Sequence, residues 1–395
     1  RASQIVIPRS IKEALDPRNK FCNQWTQATN AEFANLQENQ TWDLCPLPKG
    51  RQAIANKWVF KVKPDDEGLV HKFKARLVIK GFSQRPGIDF NETFSPVAHL
   101  ASVRIIFALA ASLNLILRQL DVVGAFLQAE LKEEIYMVQP EGFLSDDPTM
   151  VCRLKKSLYG LKQAGLVWND TINRFITETL EFKRLSSDAC VYVKRSNNDI
   201  VIMSLSTDDL LVAHNCPSRI DSIVSQLSTR FPMTDLGKPK RLLGMRITTS
   251  DDGILLDQEA YILEQLSKFN MMDCKHADTP EQSGLYLEKE MCPATIQEKQ
   301  EMQEIPYREL VGALNWIATC TRPDITHAVS SLCRFLDNPG RQHWTSAKRV
   351  LKYLKGSSNS GLLFQAHQPP HLIAFSDSDW AGDKDSRRST TGYTL

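Results

Sequence analysis

The pattern of apolar and polar positions predicts that the chain begins with two helices. Ser10-Ile-Lys-Glu13 has the form of a capping box and opens a short helix that Pro17 interrupts. A second helix is predicted from about residue 23 to residue 36, because apolar residues recur on one of its sides, namely Trp25, Phe33 and Leu36.

The first of two predicted β-hairpins is strongly basic. Residues 57–63 and 69–79 are extended runs of β-forming residues, and the turn-forming residues 64–68 join them. From Lys57 to Arg85 there are eight Lys or Arg and three acidic residues, a local excess of +5, so the remainder sums to −3 against a formal net charge of +2. Such a stretch fits a phosphate backbone, although a solvated charged face is the commoner explanation.

The second predicted hairpin has two adjacent carboxylates at its tip. Residues 200–205 and 210–213 are short apolar runs that flank Ser206-Thr-Asp-Asp209. Earlier in the chain, residues 117–122 predict a strand that ends near Asp121. Three aspartates therefore lie at the ends of predicted strands.

The rest of the chain is predicted to be mainly helical, with a boundary in its second half. Residues 281–305 are polar, rich in Glu and Gln and without strong periodicity, so a linker is expected there. Helical periodicity is found in the segments 102–115, 218–231, 258–269, 307–319, 323–335 and 343–355. Residues 361–364 and 372–376 are strand-like and lead into Asp377.

Composition places the chain among ordinary globular proteins. At 395 residues it predicts two or three domains. Apolar residues make up 42% and charged residues 24%, which excludes a disordered chain. The nine cysteines are scattered, without zinc-type spacing, which is typical of reduced thiols in an intracellular protein. No apolar run approaches the length of a membrane span.

Carboxylates beside buried strands are the first indication of chemistry. Unpaired charge at such positions is costly, and this applies to Asp121 and to the Asp208-Asp209 pair. If antiparallel neighbours bring Asp121 and Asp208 together, a cation is needed between them, and two Mg²⁺ ions about 3.5–4 Å apart would also drive in-line nucleotidyl transfer. From the residue types alone, a solvated Asp-Asp turn is the commoner interpretation.

A series of longer motifs occurs in order along nearly the whole chain. They include Lys57-Trp-Val-Phe-Lys, Lys74-Ala-Arg-Leu-Val, Glu92-Thr-Phe-Ser-Pro-Val97, Asp121-Val-Val-Gly-Ala-Phe126, Leu154-Lys-Lys-Ser-Leu-Tyr-Gly-Leu-Lys-Gln-Ala164, Ser206-Thr-Asp-Asp209, Tyr307-Arg-Glu-Leu-Val-Gly-Ala-Leu and Phe375-Ser-Asp-Ser-Asp-Trp-Ala-Gly382. Taken together, they resemble the reverse transcriptases of copia-type LTR retrotransposons, continuing into the start of the ribonuclease H domain.

The resemblance implies an α+β fold of the right-hand polymerase type. Its parts would be β-rich fingers, a palm whose antiparallel sheet carries the aspartates, a thumb, a connection, and the truncated start of an RNase H-like α/β domain. The corresponding predicted segments are a helical lead-in at 1–40, fingers and palm at 41–215, a thumb at 216–280, a linker at 281–305, a connection at 306–365 and an incomplete ribonuclease H domain at 366–395.

The activity implied is that of an RNA-directed DNA polymerase within a retrotransposon polyprotein. It would extend a primer on an RNA or DNA template with deoxynucleoside triphosphates and two Mg²⁺ ions, with Mn²⁺ as an alternative. Asp121, Asp208 and Asp209 would form the catalytic, metal-binding triad. The resemblance also implies an intracellular protein, in a cytoplasmic virus-like particle with access to the nucleus and no membrane association, and it leaves the oligomeric state open.

Five further residues are assigned to substrate binding by the resemblance. Phe126 occupies the steric-gate position against the incoming sugar, with a core aromatic as the equal alternative. Lys74 and Arg76 are candidates for gripping the triphosphate, and plain solvation is the alternative. Gly160 and Gln163 would lie near the template and nucleotide, since glycine permits close backbone approach.

Asp377 matches the first metal-ligand carboxylate of ribonuclease H. The remaining carboxylates of that site would follow Leu395. Asp379, Asp383 and Asp385 are not obvious substitutes. Ribonuclease H activity is therefore not expected of this chain.

Three departures from the family pattern fall in active-site motifs. Ser206-Thr207 replaces Tyr-Val, Gly165-Leu166 replaces the usual Pro-Arg and is expected to loosen that turn, and Val123-Gly124 replaces a polar pair. No metal ligand is lost. Two hypotheses follow: an active polymerase, or a catalytically degenerate relic that only binds primer–template.

Overall fold

The computed structural model describes residues 5–64, 69–196, 199–369 and 371–395. Its helices are α1 Ile11–Ala14, α2 Cys22–Glu38, α3 Leu100–Ser112, α4 Ala164–Arg174, α5 Pro217–Arg230, α6 Glu259–Lys268, α7 Ile296–Gln303, α8 Tyr307–Cys320, α9 Thr326–Cys333 and α10 Arg341–Gly356. Its strands are β1 Trp42–Cys45, β2 Asn56–Pro64, β3 Val70–Ile79, β4 Ile116–Val122, β5 Tyr136–Met137, β6 Val151–Leu154, β7 Lys183–Arg184, β8 Val191–Ser196, β9 Asp199–Ser206, β10 Asp209–His214, β11 Met233–Gly237, β12 Arg241–Leu242, β13 Met245–Ser250, β14 Gly253–Asp257, β15 Leu362–Gln365, β16 Phe375–Ser378 and β17 Thr391–Thr394. The predicted mixed α+β class is confirmed.

The chain divides into two compact units. The first consists of residues 1–99, 119–212 and 218–236, and the second of residues 100–118, 213–217 and 237–395. The segment predicted to be the thumb, 216–280, is thus divided after residue 236. The physical reason is that α5 buries Ile220, Ile223 and Leu227 in the core of the first unit. The remaining domain bounds stay predictions.

A six-stranded sheet organises the first unit. Its strand order is β11-β4-β10-β9-β8-β7, and a smaller sheet has the order β1-β6-β5. The core beside the large sheet is rich in aromatic residues, and the ring of Trp168 meets Phe231 edge-on at 5.4 Å. This core fixes β4 and the β9–β10 hairpin, which carry the predicted aspartates.

The basic hairpin is confirmed by β2 and β3. They pair antiparallel from Asn56 opposite Ile79 to Lys63 opposite Lys72, with a register shift at Pro64. Of the predicted turn 64–68, residues 65–68 lie outside the described residues. One face of the hairpin is buried, through Trp58, Phe60, Val62, Ala75, Leu77 and Ile79, and the alternate residues face the other way because side chains alternate along a strand.

The aspartate hairpin is confirmed as well. Strands β9 and β10 leave Thr207 and Asp208 as a two-residue turn. Thr207 has a φ of 57°, a left-handed conformation that is uncommon for a β-branched residue. The turn therefore depends on contacts with its surroundings.

Helices dominate the second unit. A core formed with α6, α8, α9 and α10 surrounds the fully buried Tyr307, whose hydroxyl donates to the Leu332 carbonyl at 2.9 Å. A four-stranded sheet has the order β12-β13-β14-β15. Its last strand comes from far along the chain, with Phe364 opposite Ile254, and α3 packs on this edge of the sheet.

The segment predicted to be a linker, 281–305, contains regular structure that the sequence pattern did not predict. It contains α7 and a 3-10 turn at Lys289–Met291. Thr295 caps α7, because its hydroxyl accepts from the Glu298 N–H at 3.2 Å while the Glu298 carboxylate accepts from the Thr295 N–H at 3.0 Å. The helix was missed because its stability is local and its surface is almost entirely polar. In the part of the chain that the structure describes, no helix is long and apolar enough to cross a membrane.

Candidate functional site

The predicted catalytic aspartates lie on two neighbouring strands and in the turn that precedes one of them. Strands β4 and β10 are adjacent in the large sheet, and the Val122 N–H donates to the Asp208 carbonyl at 2.8 Å. Asp121, Asp208 and Asp209 are each half-buried, while Leu120, Val122 and Leu210 beside them are buried. The structure therefore brings together the strand ends that carry the three carboxylates, as the pattern of apolar runs predicted.

Burial and mutual repulsion disfavour ionisation of these carboxyl groups. Burial raises the pKa of Asp121 above its ordinary value, and the charge of Asp208 raises it further. Burial also raises the pKa of Asp209, and Asp208 and Asp121 add to this, while a hydrogen bond from Gln119 opposes it. Like charges in such a group are relieved by a cation.

Two residues that position this hairpin were not predicted. The Gln119 amide donates to Asp209 Oδ1 at 3.2 Å, and the Trp168 indole donates to the Thr207 carbonyl at 2.6 Å. Gln119 stands two residues before Asp121 on the same strand, so its side chain points to the same face. A polar residue within an otherwise buried strand was the feature of the sequence that could have indicated the role of Gln119. Trp168 follows the motif at residues 154–164, and the sequence gave no indication of its role beyond the size of its side chain.

The fit of this site to divalent metal rests on charge. In the described residues, no group of three or more His, Cys, Asp or Glu side chains is arranged to hold an ion. Burial, together with the neighbouring carboxylates, nevertheless raises the pKa values of Asp121 and Asp209, so that their charged forms are disfavoured without a cation. Carboxylate oxygens are the ligands that Mg²⁺ prefers. The residue types and their charge therefore fit the cation.

Basic side chains share the open face of the β2–β3 hairpin. Lys61 stands directly opposite Lys74, and Lys63 stands opposite Lys72. Like charges directly opposite each other destabilise a sheet unless an anion offsets them. Arg76 lies on the same face as Lys74, two residues further along β3. This face is therefore suited to a polyanion.

A ladder of rings links Arg76 to Phe126. The Arg76 guanidinium lies 4.5 Å from the centre of the Tyr159 ring, and the Phe126 ring meets Tyr159 edge-on at 5.0 Å. Phe126 is half-buried and packs against the cores on both sides. It is placed by a turn that begins at Gly124, where φ is 61°. The Val123-Gly124 departure thus supplies a conformation that favours glycine.

Gly160 and Gln163 serve the packing of the hairpin in this structure. Gly160 has a φ of 97°, and a Cβ there would lie 2.2 Å from the Ile79 carbonyl oxygen. The Gln163 side chain is buried, accepts from the Gln84 amide at 3.0 Å and donates to the Asp89 carbonyl at 2.9 Å. The close approach permitted by Gly160 is therefore to β3.

Gly165 and Leu166 lie in the first turn of α4. The turn that their identities were expected to loosen is therefore helical. Ser206, where the family has an aromatic residue, is buried at the end of β9. Its small side chain occupies the position without an exposed hydroxyl.

Asp377 has different surroundings from the other predicted metal ligands. It lies in β16, where every residue is exposed, and its carboxylate accepts from the Ser378 N–H at 2.8 Å. Asp379 accepts backbone hydrogen bonds from Thr390 and Gly382, and Asp383 pairs with Arg334 at 3.1 Å. These neighbouring carboxylates are engaged in holding the local loop.

Comparison with known proteins gives the family. Residues 39–283 match the model of the family described as reverse transcriptase (RNA-dependent DNA polymerase). The Pol polyprotein of the tobacco (Nicotiana tabacum) transposon TNT 1-94 is 45% identical over 98% of this chain and 29% of the relative. The Pol polyprotein of transposon RE1 from Arabidopsis thaliana is 37% identical over 98% of this chain and 26% of the relative. The chain thus spans under a third of these relatives.

A solved structure of a foamy viral protease–reverse transcriptase in complex with double-stranded DNA is also similar. It matches with a TM-score of 0.37 and 12% identity, over 88% of this chain and 59% of that one. The assignment rests on the family match and on the sequence relatives, which agree along the chain. The chain belongs to the copia-type retrotransposon family of reverse transcriptases and is the reverse transcriptase region of a Pol polyprotein.

Proposed function

We propose that this chain is an active RNA-directed DNA polymerase, which extends a primer annealed to an RNA or DNA template. The observation that carries the proposal is the proximity of Asp121, near the end of β4, to Asp208, in the turn that leads into the neighbouring strand β10. Burial and neighbouring carboxylates raise the pKa values of Asp121 and Asp209, which is the environment of a cation site.

Each aspartate has a distinct part in the proposed site. Asp121 and Asp208 are the direct metal ligands, and Asp209 is held by Gln119 and completes the negative charge. When bound, two Mg²⁺ ions, or Mn²⁺ in their place, supply activation of the primer 3′-hydroxyl and stabilisation of the leaving pyrophosphate. The protein holds its three carboxylates in a partly desolvated setting, where their attraction for a cation is stronger than in water.

The basic hairpin and the ring ladder form the nucleotide side of the proposed site. Lys74 and Arg76 bind the triphosphate, since fixed cations offset the charge that develops on transferred phosphates. Phe126, supported edge-on by Tyr159, lies against the sugar of the incoming deoxynucleotide. Gly160 contributes by its close approach to the end of β3, and Gln163 by holding the segment 84–89 that follows this strand.

The right-hand architecture belongs to the same proposal. The large sheet is the palm, the β2–β3 hairpin is part of the fingers, residues 216–280 contribute the thumb, and residues 306–365 form the connection. Asp377, the fourth predicted metal ligand, lies in the exposed strand β16 and has no part in the proposed polymerase site.

A primer-extension assay tests the proposed function. The full chain is given oligo-dT on poly-rA, with dTTP, in the presence and absence of Mg²⁺. Metal-dependent extension supports the polymerase. Salt-sensitive binding of primer–template without any incorporation would contradict it and support the degenerate relic instead.

A further inference from the structure

Helix α2 packs on the apolar face of the β2–β3 hairpin and brings a carboxylate to the free edge of β3. The helix is fastened to the hairpin by Trp25, whose ring meets Phe73 at 4.6 Å and Phe60 at 5.3 Å, both edge-on. Glu32 lies two helical turns beyond Trp25, on the same side of α2. The family match begins at residue 39, so it assigns nothing to this helix.

Glu32 and Tyr159 occupy neighbouring positions on the free edge of β3. The Glu32 carboxylate accepts a hydrogen bond from the Leu77 N–H, and the Tyr159 carbonyl accepts from the Ile79 N–H at 2.9 Å. These two N–H groups point to the edge opposite β2, because donors two residues apart on a strand point the same way. The edge of the strand that carries Arg76 is therefore fixed at both points.

The charge of Glu32 is directed at the two proposed phosphate-binding cations. Burial raises the pKa of Glu32, and the charges of Lys74 and Arg76 oppose that shift. Burial lowers the pKa of Lys74, the cations Arg76 and Lys63 lower it further, and the charge of Glu32 works against this. Glu32 thus offsets repulsion that would otherwise separate these cations.

Two buried atoms in this cluster have no hydrogen-bond partner. They are Glu32 Oε1 and Arg76 Nε. A buried charged group without full hydrogen bonding is costly, and an anion bound at the Arg76 guanidinium, which lies over the Tyr159 ring, would relieve that cost.

We propose that Glu32 is a positioning residue, which holds Lys74 and Arg76 in the orientation that receives the triphosphate of the incoming nucleotide. This inference rests on the proposed polymerase function. Without Glu32, mutual repulsion turns the side chains of Lys74, Arg76 and Lys63 towards solvent. These side chains must then be ordered again when the nucleotide binds. Ordering of that kind weakens binding and leaves the chemical step unchanged.

The test compares nucleotide KM and kcat for single dTTP addition by the full chain. Glu32→Gln keeps an oxygen that accepts from the Leu77 N–H and removes the charge. We expect the KM for dTTP to rise about three- to tenfold with kcat within about twofold, as for the loss of one partly screened charge contact. Glu32→Asp, which retains the charge, should recover part of the loss.

Glu38→Gln is the matched control, because Glu38 is exposed at the end of the same helix. It should leave both constants unchanged. A double-mutant cycle with Arg76→Lys adds a second criterion, since effects on KM that pass through Arg76 are less than additive. Fully additive effects, or a KM for Glu32→Gln that is unchanged or lower, would overturn the inference.

Failure of the polymerase proposal is seen separately, as absence of extension by the unmodified chain. In that event, the same variants are compared in a gel-shift assay. The assay measures the dTTP concentration that is needed to stabilise the complex of the protein with a chain-terminated primer–template. This assay requires no chemistry. If Glu32→Gln does not fold, Glu32→Asp replaces it in the cycle with Arg76→Lys, because its side chain is one methylene shorter and draws the charge away from the cations; fully additive effects on KM would again overturn the inference.

Discussion

Two hairpins of this chain present aspartates, and their surroundings differ sharply. Strands β9 and β10 lie inside a six-stranded sheet and are buried over most of their length. Strands β16 and β17 form a sheet of two and are exposed at every residue. The same residue type is therefore placed among desolvated carboxylates in one hairpin and in solvent in the other. Burial and neighbouring charges, rather than residue type, distinguish the aspartates of the two hairpins.

The largest expected effect is on primer extension, and it should distinguish an aspartate variant of the buried hairpin from one of the exposed hairpin. Asp208→Asn removes a proposed metal ligand and should lower primer extension by roughly 10³-fold or more, with an unchanged circular dichroism spectrum. Asp377→Asn, in the exposed hairpin, should leave extension within about twofold. Equal losses in the two variants would contradict the comparison.

A glycine packed against β3 and a glycine in the exposed hairpin give the next contrast. Gly160→Ala forces a left-handed residue to carry a Cβ 2.2 Å from the Ile79 carbonyl oxygen. The free energy of unfolding should fall by about 2–4 kcal/mol, from strain and overpacking. Gly392→Ala in β17 meets open space and should be nearly neutral. Urea denaturation of both variants measures the difference, and a neutral Gly160→Ala would show that β3 and Gly160 are not in close contact.

Removing an indole donor should affect the buried hairpin more mildly. Trp168→Phe keeps an aromatic ring in the core and leaves the Thr207 carbonyl without its donor. Because the turn carries Asp208, kcat for extension should fall about three- to tenfold. The control is Trp380→Phe, since Trp380 is 94% exposed. A kcat for Trp168→Phe equal to that of the control would show that this bond does not position the turn.

The smallest expected effect is a pH-dependent change in thermal stability, measured without divalent metal. Burial raises the pKa of Asp209 in the folded state, so its contribution to stability is lost as pH rises through that pKa. Asp209→Asn removes this loss and should raise Tm by about 1–3 °C at pH 8 and by less at pH 5. Thermal denaturation at both pH values checks this, with Asp377→Asn as the exposed control. A lower Tm for Asp209→Asn at pH 8 would contradict the sign.

Segments with a regular apolar pattern were predicted well, because the residues that they bury recur with the period of the helix or the strand. Helix α2 and the hairpins β2–β3 and β9–β10 agree with the predicted bounds to within about two residues, a typical error at element ends. Each has a regular apolar face that tertiary packing buries. The aspartates were found for the same reason, since they interrupt otherwise apolar runs.

Features that depend on distant partners were not predictable from the pattern. Glu32 looks like one charged residue on an amphipathic helix, and only the folded edge of β3 gives it a partner. Gln163 was expected beside the nucleotide, but its amide is held by Gln84 and Asp89. Helix α7 was missed because its capping box contributes locally without an apolar stripe.

The pairing of β15 with β14 has a consequence for folding during synthesis. All strands of the large sheet have been translated by residue 237, so the first unit can complete its core early. The sheet of the second unit needs residues 362–365 beside β14, more than a hundred residues after that strand. Because such long-range pairing is slow to form, α3 and β14 must wait with apolar surface uncovered while the intervening helices emerge from the ribosome.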